Sequence, residues 1–262
     1  MYKMEDILFE RFKTRLEDLG LEIERIDEDG LIYVSYGDNS LQISLDNVRR
    51  SYEQEGNFDH LDGLIDSIHD YLIQEPIPAW EDACLNVYQS LFPANHEWGD
   101  VLHDKVTDDF HKNYIYYKDG QYIWIDQAQL SAWQIDEVVF KKQVDFNMNT
   151  LLDETDIEMD ETEEGLTLAH FNCPIEGLKS SLLFSTDLKK KLEPIIGWPV
   201  FCVLPVRDFC YVFSEKNEIL IEQLGGVVLD EYQNSAYPIT TEILKLSDEG
   251  IIAVGKYEKT ED

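Results

Sequence analysis

Positive charge is scarce in this sequence. Its 262 residues carry 21 Lys and Arg against 54 Asp and Glu, a formal net charge of −33 with histidine neutral. A field of that sign repels phosphate backbones and anionic lipid headgroups, so nucleic acid and membrane surfaces are not expected partners unless a local basic patch appears. None does. Long apolar runs are also missing: the longest, Ile195 to Val206, is broken by Pro199 and Pro205. It falls well short of the roughly 20 residues that cross a bilayer, and it reads as a buried strand. Cysteine is rare. Cys84, Cys173, Cys202 and Cys210 form no Cys-x-x-Cys pair, which predicts free buried thiols rather than disulfides or a zinc site. Met1 to Leu21 lacks the apolar core and small-residue cleavage site of a secretion signal, so a cytoplasmic location is expected. There is no phosphate-binding Gly-x-x-x-x-Gly-Lys-Ser/Thr loop, no Gly-x-Gly-x-x-Gly and no Gly-x-Ser-x-Gly elbow, so no cofactor is expected. A catalytic pair of carboxylates leaves no such spacing rule, and 54 acids can conceal one.

What is present is the material of a folded protein: 44% hydrophobic residues and 12% aromatics, far above an acidic disordered tail. Ile7, Leu8, Phe12, Leu16 and Leu19 recur at three- and four-residue steps, and Gly20 follows as a stop, predicting a helix. Three alternating segments, 21–26, 31–36 and 41–45, turn at Asp29-Gly30 and Gly37-Asp38-Asn39. After Asp46 come a short helix and a second one near 60–73, with Leu61, Leu64, Ile65, Ile68 and Leu72 on one face. This α-β-β-β-α unit, residues 1–76, ends at Pro76-Ile77-Pro78. Residues 77–113 are expected to be a helical connector, with a helix over 80–91 and a charged, weakly periodic stretch behind it. Residues 114–262 read as antiparallel hairpins alternating with helices. The hairpins are 114–118 with 121–125 around Asp119-Gly120, 157–159 with 166–171, 200–204 with 209–213, and 241–246 with 251–254. Segment 182–184 follows the second hairpin by a loop. Helices are expected over 135–152, 187–192 and 216–232, the last open to interruption at Gly225-Gly226. The pattern predicts an α+β fold rather than a doubly wound sheet.

The densest acidic knot is Asp153, Glu154, Asp156, Glu158, Asp160, Glu161, Glu163 and Glu164. It lacks the turn glycine of a calcium-binding helix-loop-helix, and the bidentate glutamate position falls on Thr167, so a solvated, self-repelling hairpin is expected. Asp104, Asp108 and His111 would share one helical face with His103 beside it, so carboxylates and an imidazole could converge there on a divalent metal. No second cluster supplies a remote ligand, so no metal site is expected and these three are weak candidates. His60 and His69 read as surface or cap residues, His170 as a cross-strand packing partner. Arg207-Asp208, at the turn of the most apolar hairpin, and Tyr237-Pro-Ile-Thr240, before the last strand, project polar groups from a rigid scaffold. The plainest account of them is a turn-stabilising ion pair and a proline-set strand start. If the hairpin domain carries a functional surface, Arg207, Asp208, Tyr237 and Thr240 are its candidates.

The pattern Trp198-Pro-Val-Phe-Cys-Val-Leu-Pro-Val-Arg-Asp-Phe, then a helix, Tyr237-Pro-Ile-Thr and a closing hairpin through Gly250-Ile-Ile-Ala, resembles the YtpQ-like family of uncharacterised bacterial proteins, also called domain of unknown function 1444. The N-terminal helix, three strands and helix are compatible with it. The resemblance implies a cytoplasmic bacterial protein and brings no activity, so no catalytic role passes to Asp208 or Thr240.

Three readings of the charge remain. The first is a non-enzymatic interaction protein whose acidic surface binds a cationic protein partner, for instance as an immunity or inhibitor protein against a basic toxin. The second is a metal-assisted hydrolase using carboxylates with His111 or His103. In the third the charge only maintains solubility. No motif specifies the partner or the oligomeric state.

Overall fold

The computed structural model describes residues 2–27, 30–37, 39–72, 77–96, 98–118, 121–162, 165–235 and 238–258. The chain forms two compact units, Met1–Pro76 and Ile77–Asp262. All strand pairings are antiparallel, and the class is α+β.

In the first unit α1 (Tyr2–Asp18) precedes a three-stranded sheet of β1 (Glu22–Ile26), β2 (Ile32–Tyr36) and β3 (Asn39–Ile43) in that order. Helices α2 (Asp46–Glu55) and α3 (Asp59–Leu72) follow. The apolar spacing of α1 and α3 does what amphipathic spacing dictates: Phe12, Leu16, Leu61, Ile65 and Ile68 bury against Ile32 and Val34 of the central strand. Between α2 and α3 the chain reverses at Gly56, whose φ of 70° is open to glycine at little cost.

The second unit opens with one helical turn, α4 (Trp80–Ala83), a 3₁₀ turn at Cys84–Asn86 and strand β4 (Val87–Pro93). The helix expected over 80–91 therefore stops after its first turn. Asn147, from a later helix, donates to the Cys84 and Val87 carbonyls at 2.8 Å each and takes up groups that a continuing helix would have used. The expected helical connector 77–113 is in fact mainly strand: β4, β5 (His103–Lys105) and the start of β6 (Phe110–Lys118). With β7 (Gln121–Trp124) they make a four-stranded sheet in which β6 is central. It pairs with β4 along one edge and with β5 and β7 along the other. Two helices follow, α5 (Gln127–Trp133), which periodicity did not reveal, and α6 (Glu137–Glu154); Asp126 and Asp136 cap them by accepting from Gln129 and Val139 N–H.

The larger sheet has six strands: β8 (Asp156–Glu161), β9 (Thr167–Asn172), β10 (Val200–Val206), β11 (Phe209–Ser214), β12 (Glu242–Ser247) and β13 (Gly250–Lys256). Their order is β13-β12-β10-β11-β9-β8. Segment 182–184 lies in a 3₁₀ helix, Ser180–Phe184, and α7 (Leu188–Ile196) and α8 (Ile219–Asn234) complete the unit. Every residue of β10 is buried, because the sheet is covered on both faces. One face, with Val200, Cys202, Leu204 and Val212, shares a core with α6 and the small sheet. The other, with Phe201, Val203 and Phe213, packs on Leu220, Leu224 and Val228 of α8. Gly225-Gly226 does not interrupt α8. A Cβ at Gly225 would stand 3.1 Å from Cδ1 of Tyr257, so the glycine lets that ring lie against the helix.

The sheet's two edges differ in chemistry. Strand β8 exposes Asp156, Glu158, Asp160 and Glu161, whereas β13 is uncharged from Gly250 to Gly255, with Ile252 and Val254 exposed. Among the described residues no helix is long and apolar enough to cross a membrane. The four cysteines are free thiols, and burial pushes Cys210 up to about 12.

Candidate functional site

The expected metal set does not converge. Asp104, Asp108 and His111 would meet on a helix, but here Asp104 lies on β5, Asp108 in the following turn and His111 on β6. Strand alternation separates them: Asp104 pairs with Lys112 and so faces the opposite side of the sheet from His111. The Asp104 carboxylate is already occupied. It accepts from the Tyr114 hydroxyl and from Lys141 Nζ at 2.7 Å, with Lys112 3.8 Å away. Burial raises its pKa, but the Lys141 and Tyr114 hydrogen bonds and the two lysine charges prevail and hold it below the usual carboxylate range. Asp108 pairs with Lys105 at 2.5 Å. Among the described residues no group of three or more His, Cys, Asp or Glu is placed to hold a metal ion; Glu163 and Glu164 of the acidic knot lie outside the described residues.

The expected functional surface is partly inside the protein. Thr240 is 1% exposed; its hydroxyl reaches Asp109 at 3.1 Å and Glu242 at 3.3 Å, and Thr107 donates to the same Glu242 carboxylate at 2.6 Å. It is a buried polar joint between β12 and the β5–β6 turn, not a surface group. Asp208 accepts from Gly177 N–H at 2.6 Å and fixes the loop before the 3₁₀ helix. Tyr237 lies outside the described residues. Arg207 is the member that reaches a distinctive place: its guanidinium stands 5.2 Å from the Phe92 ring centroid and 5.5 Å from that of Tyr122.

Those two rings belong to the face of the small sheet turned away from α6. Register puts Phe92 with His111, Ser90 with Asn113 and His103, and Tyr88 with Ile115 and Trp124 on this face. Phe92 and His96 pack edge to face on Trp124, with centroids 4.7 Å apart in each case, and Trp98 stacks on Trp124 at 5.9 Å. The Trp98 indole stacks on both His103, at 4.6 Å, and His111, at 5.3 Å. The two imidazoles are 5.2 Å apart with planes only 9° from parallel. His103 holds its Nδ1 2.8 Å from the Val101 carbonyl, which makes Nδ1 the protonated nitrogen. Burial lowers the pKa of His111, and the neighbouring His103 and Lys105 add to the effect, so its neutral form is favoured.

This face is unusual in its polar accounting. Trp98 Nε1, His111 Nδ1 and both amide atoms of Asn113 are buried without a hydrogen-bond partner. The Asn113 carboxamide is close enough to influence the Tyr122 phenol, yet it does not reach hydrogen-bond geometry; that hydroxyl donates to Ser90 Oγ at 2.5 Å instead. Sequence reasoning identified His103, His111 and Arg207 separately and missed their common setting. The available signal was composition: three of the six histidines and two of the five tryptophans fall within residues 92–124.

No protein-family model matches the chain, and neither a curated protein nor a solved structure matches it.

Proposed function

We propose that the protein is a non-enzymatic interaction protein that binds a cationic partner through its acidic surface. The observation that carries this reading is β8: an edge strand with four solvent-exposed carboxylates, paired with β9 alone among the described strands. His170 on β9 places its Nε2 3.3 Å from Glu158 and its Nδ1 3.1 Å from Asp160. An edge strand offers unpaired backbone groups, so a basic extended segment could add to it with charge and hydrogen bonds acting together. An inhibitor or immunity role against a basic protein is one form of this activity. A cytoplasmic bacterial setting and the YtpQ-like resemblance belong to the same proposal and add no chemistry. The hydrolase reading loses Asp104 to the other face of the small sheet and Asp108 to an ion pair with Lys105 in the turn after β5, and it is not favoured.

Calorimetry with an alternating lysine–valine peptide tests the reading at low and high salt. Asp156, Glu158, Asp160 and Glu161 are changed together to Asn or Gln, against a control with Glu218, Glu222, Asp230 and Glu249 changed likewise. We expect at least tenfold weaker binding in the β8 variant and about twofold or less in the control. Equal losses would leave the charge as a solubility feature.

A further inference from the structure

We infer that the open β13 edge, together with the cavity at its Gly250 end, is a docking site for an uncharged extended segment of a partner protein that carries one aromatic side chain. The edge is the first argument. β13 pairs with β12 alone among the described strands, and every one of its residues except Ile251 is exposed. Its outward backbone N–H and C=O groups are therefore open to an added strand. Edges are ordinarily guarded by charge, as β8 is by its four carboxylates. β13 has no charge before Lys256, and Ile252 and Val254 are 56% and 46% exposed on it.

The cavity is the second argument. It holds about 280 Å³ and is lined by Phe184, Leu188, Trp198, Leu246, Gly250 and Ile251 among others. Leu246 and Ile251 are direct cross-strand partners, so the cavity lies on the face onto which an added strand would project its residue opposite Ile251. Small-molecule sites run to about 300–1,000 Å³, so this one suits a single large side chain rather than a cofactor. Phe184 and Trp198 favour an aromatic one. Its two charged lining residues are spent on each other: Asp248 accepts from Lys189 Nζ at 2.8 Å and from Trp198 Nε1 at 3.0 Å. Those bonds hold the Trp198 ring in place before anything binds. Charge then decides the occupant. An acidic segment is repelled by the net −33, and a second copy brings another −33. A basic segment finds no carboxylate along Gly250 to Gly255 and is better served at β8. An uncharged segment meets neither penalty. The site is independent of β8 and of any basic partner.

Calorimetry of the full-length chain with an acetylated and amidated peptide of alternating threonine and valine around one tryptophan tests the site. One peptide should bind per chain, with an affinity that changes by about twofold or less between about 0.05 and 0.3 M salt. The same peptide methylated at every backbone nitrogen cannot donate to a strand edge and should bind about tenfold more weakly or worse. So should the peptide with alanine in place of its tryptophan, which leaves the cavity empty. In the protein, Ile252→Lys combined with Val254→Lys puts charge on the edge and should also weaken binding about tenfold. Both side chains are exposed, and an unchanged melting temperature shows that the variant is folded. Changing the four β8 acids to Asn or Gln should leave this affinity within about twofold, which separates the site from the acidic-strand reading. Absence of binding, or equal affinity for the methylated or the alanine peptide, overturns the inference. A chain that is dimeric in dilute buffer and becomes monomeric in the double lysine variant also overturns it, because the edge then belongs to a second copy.

Discussion

Along β6, Phe110, Lys112, Tyr114 and Tyr116 point toward α6, while His111, Asn113, Ile115 and Tyr117 point the other way. The first face is largely paired, although Gln89 Oε1, on β4 opposite Tyr114, is buried without a partner. Tyr114 donates to Asp104, Lys141 closes on the same carboxylate, and Phe140 packs on the rings of Tyr114, Trp80 and Trp133. Even the Trp133 indole N–H has an acceptor, the Pro78 carbonyl at 2.8 Å. On the second face Trp98 Nε1 has none, and Asn113 is completely buried with its amide unmatched. Both faces belong to one strand of nine residues, so propensity cannot explain the difference. Buried polar groups left without partners cost stability, and a protein keeps them where something other than stability is served.

Truncation should expose this contrast most strongly. Phe140→Ala, which empties the centre of the ring cluster on the inner side, should cost about 3–5 kcal/mol in denaturant melts. Trp98→Ala, on the half-exposed outer face, should cost about 1 kcal/mol despite the larger side chain. Similar losses for the two would mean that the outer face is structural core.

A paired asparagine experiment should change sign between the faces. Asn147→Leu strips two hydrogen bonds from the Cys84 and Val87 carbonyls and should destabilise by about 2–3 kcal/mol. Asn113→Leu removes a buried amide that has no partner and should stabilise by about 1 kcal/mol. A loss at both positions would show that Asn113 is satisfied in solution.

The smallest effect concerns acid. Asp104 is held below its ordinary value when folded, so its contribution is present above the unfolded pKa of about 3.9 and fades as pH falls through the folded value. Asp104→Asn should therefore cost about 1 kcal/mol at neutral pH, kept small because water reaches the half-exposed carboxylate. The gap to the parent should shrink in melts below about pH 4.

The sequence announced the hairpins well, because Asp-Gly and Gly-Asp turns between alternating segments are strong local signals that tertiary packing had no reason to override. It misled over 80–91 for an equally physical reason. Trp80, Ala83, Cys84, Val87 and Leu91 have helical spacing, while the polar Gln89 hides the strand alternation of Val87, Gln89 and Leu91, all three buried on one face. Strand β5, only His103 to Lys105, has no periodicity to read and exists because β6 offers it an edge. The outer-face cluster was illegible because its members come from β4, the 94–101 loop, β5, β6, β7 and the β10–β11 turn. Only pairing brings them together. Arg207 was singled out as a turn residue, and nothing in its neighbourhood along the chain names Phe92, more than a hundred residues earlier.

The uncharged edge at β13 sets a condition on how concentrated the protein can become. A chain carrying −33 keeps its copies apart in dilute buffer. At roughly 1 M salt the screening length falls to about 3 Å, and that mutual repulsion largely disappears. What remains at close range is Gly250 to Gly255, an open strand with two exposed aliphatic side chains and no charge to turn a neighbour away. Salting-out of this protein should therefore begin edge to edge, as ordered strand pairing at β13.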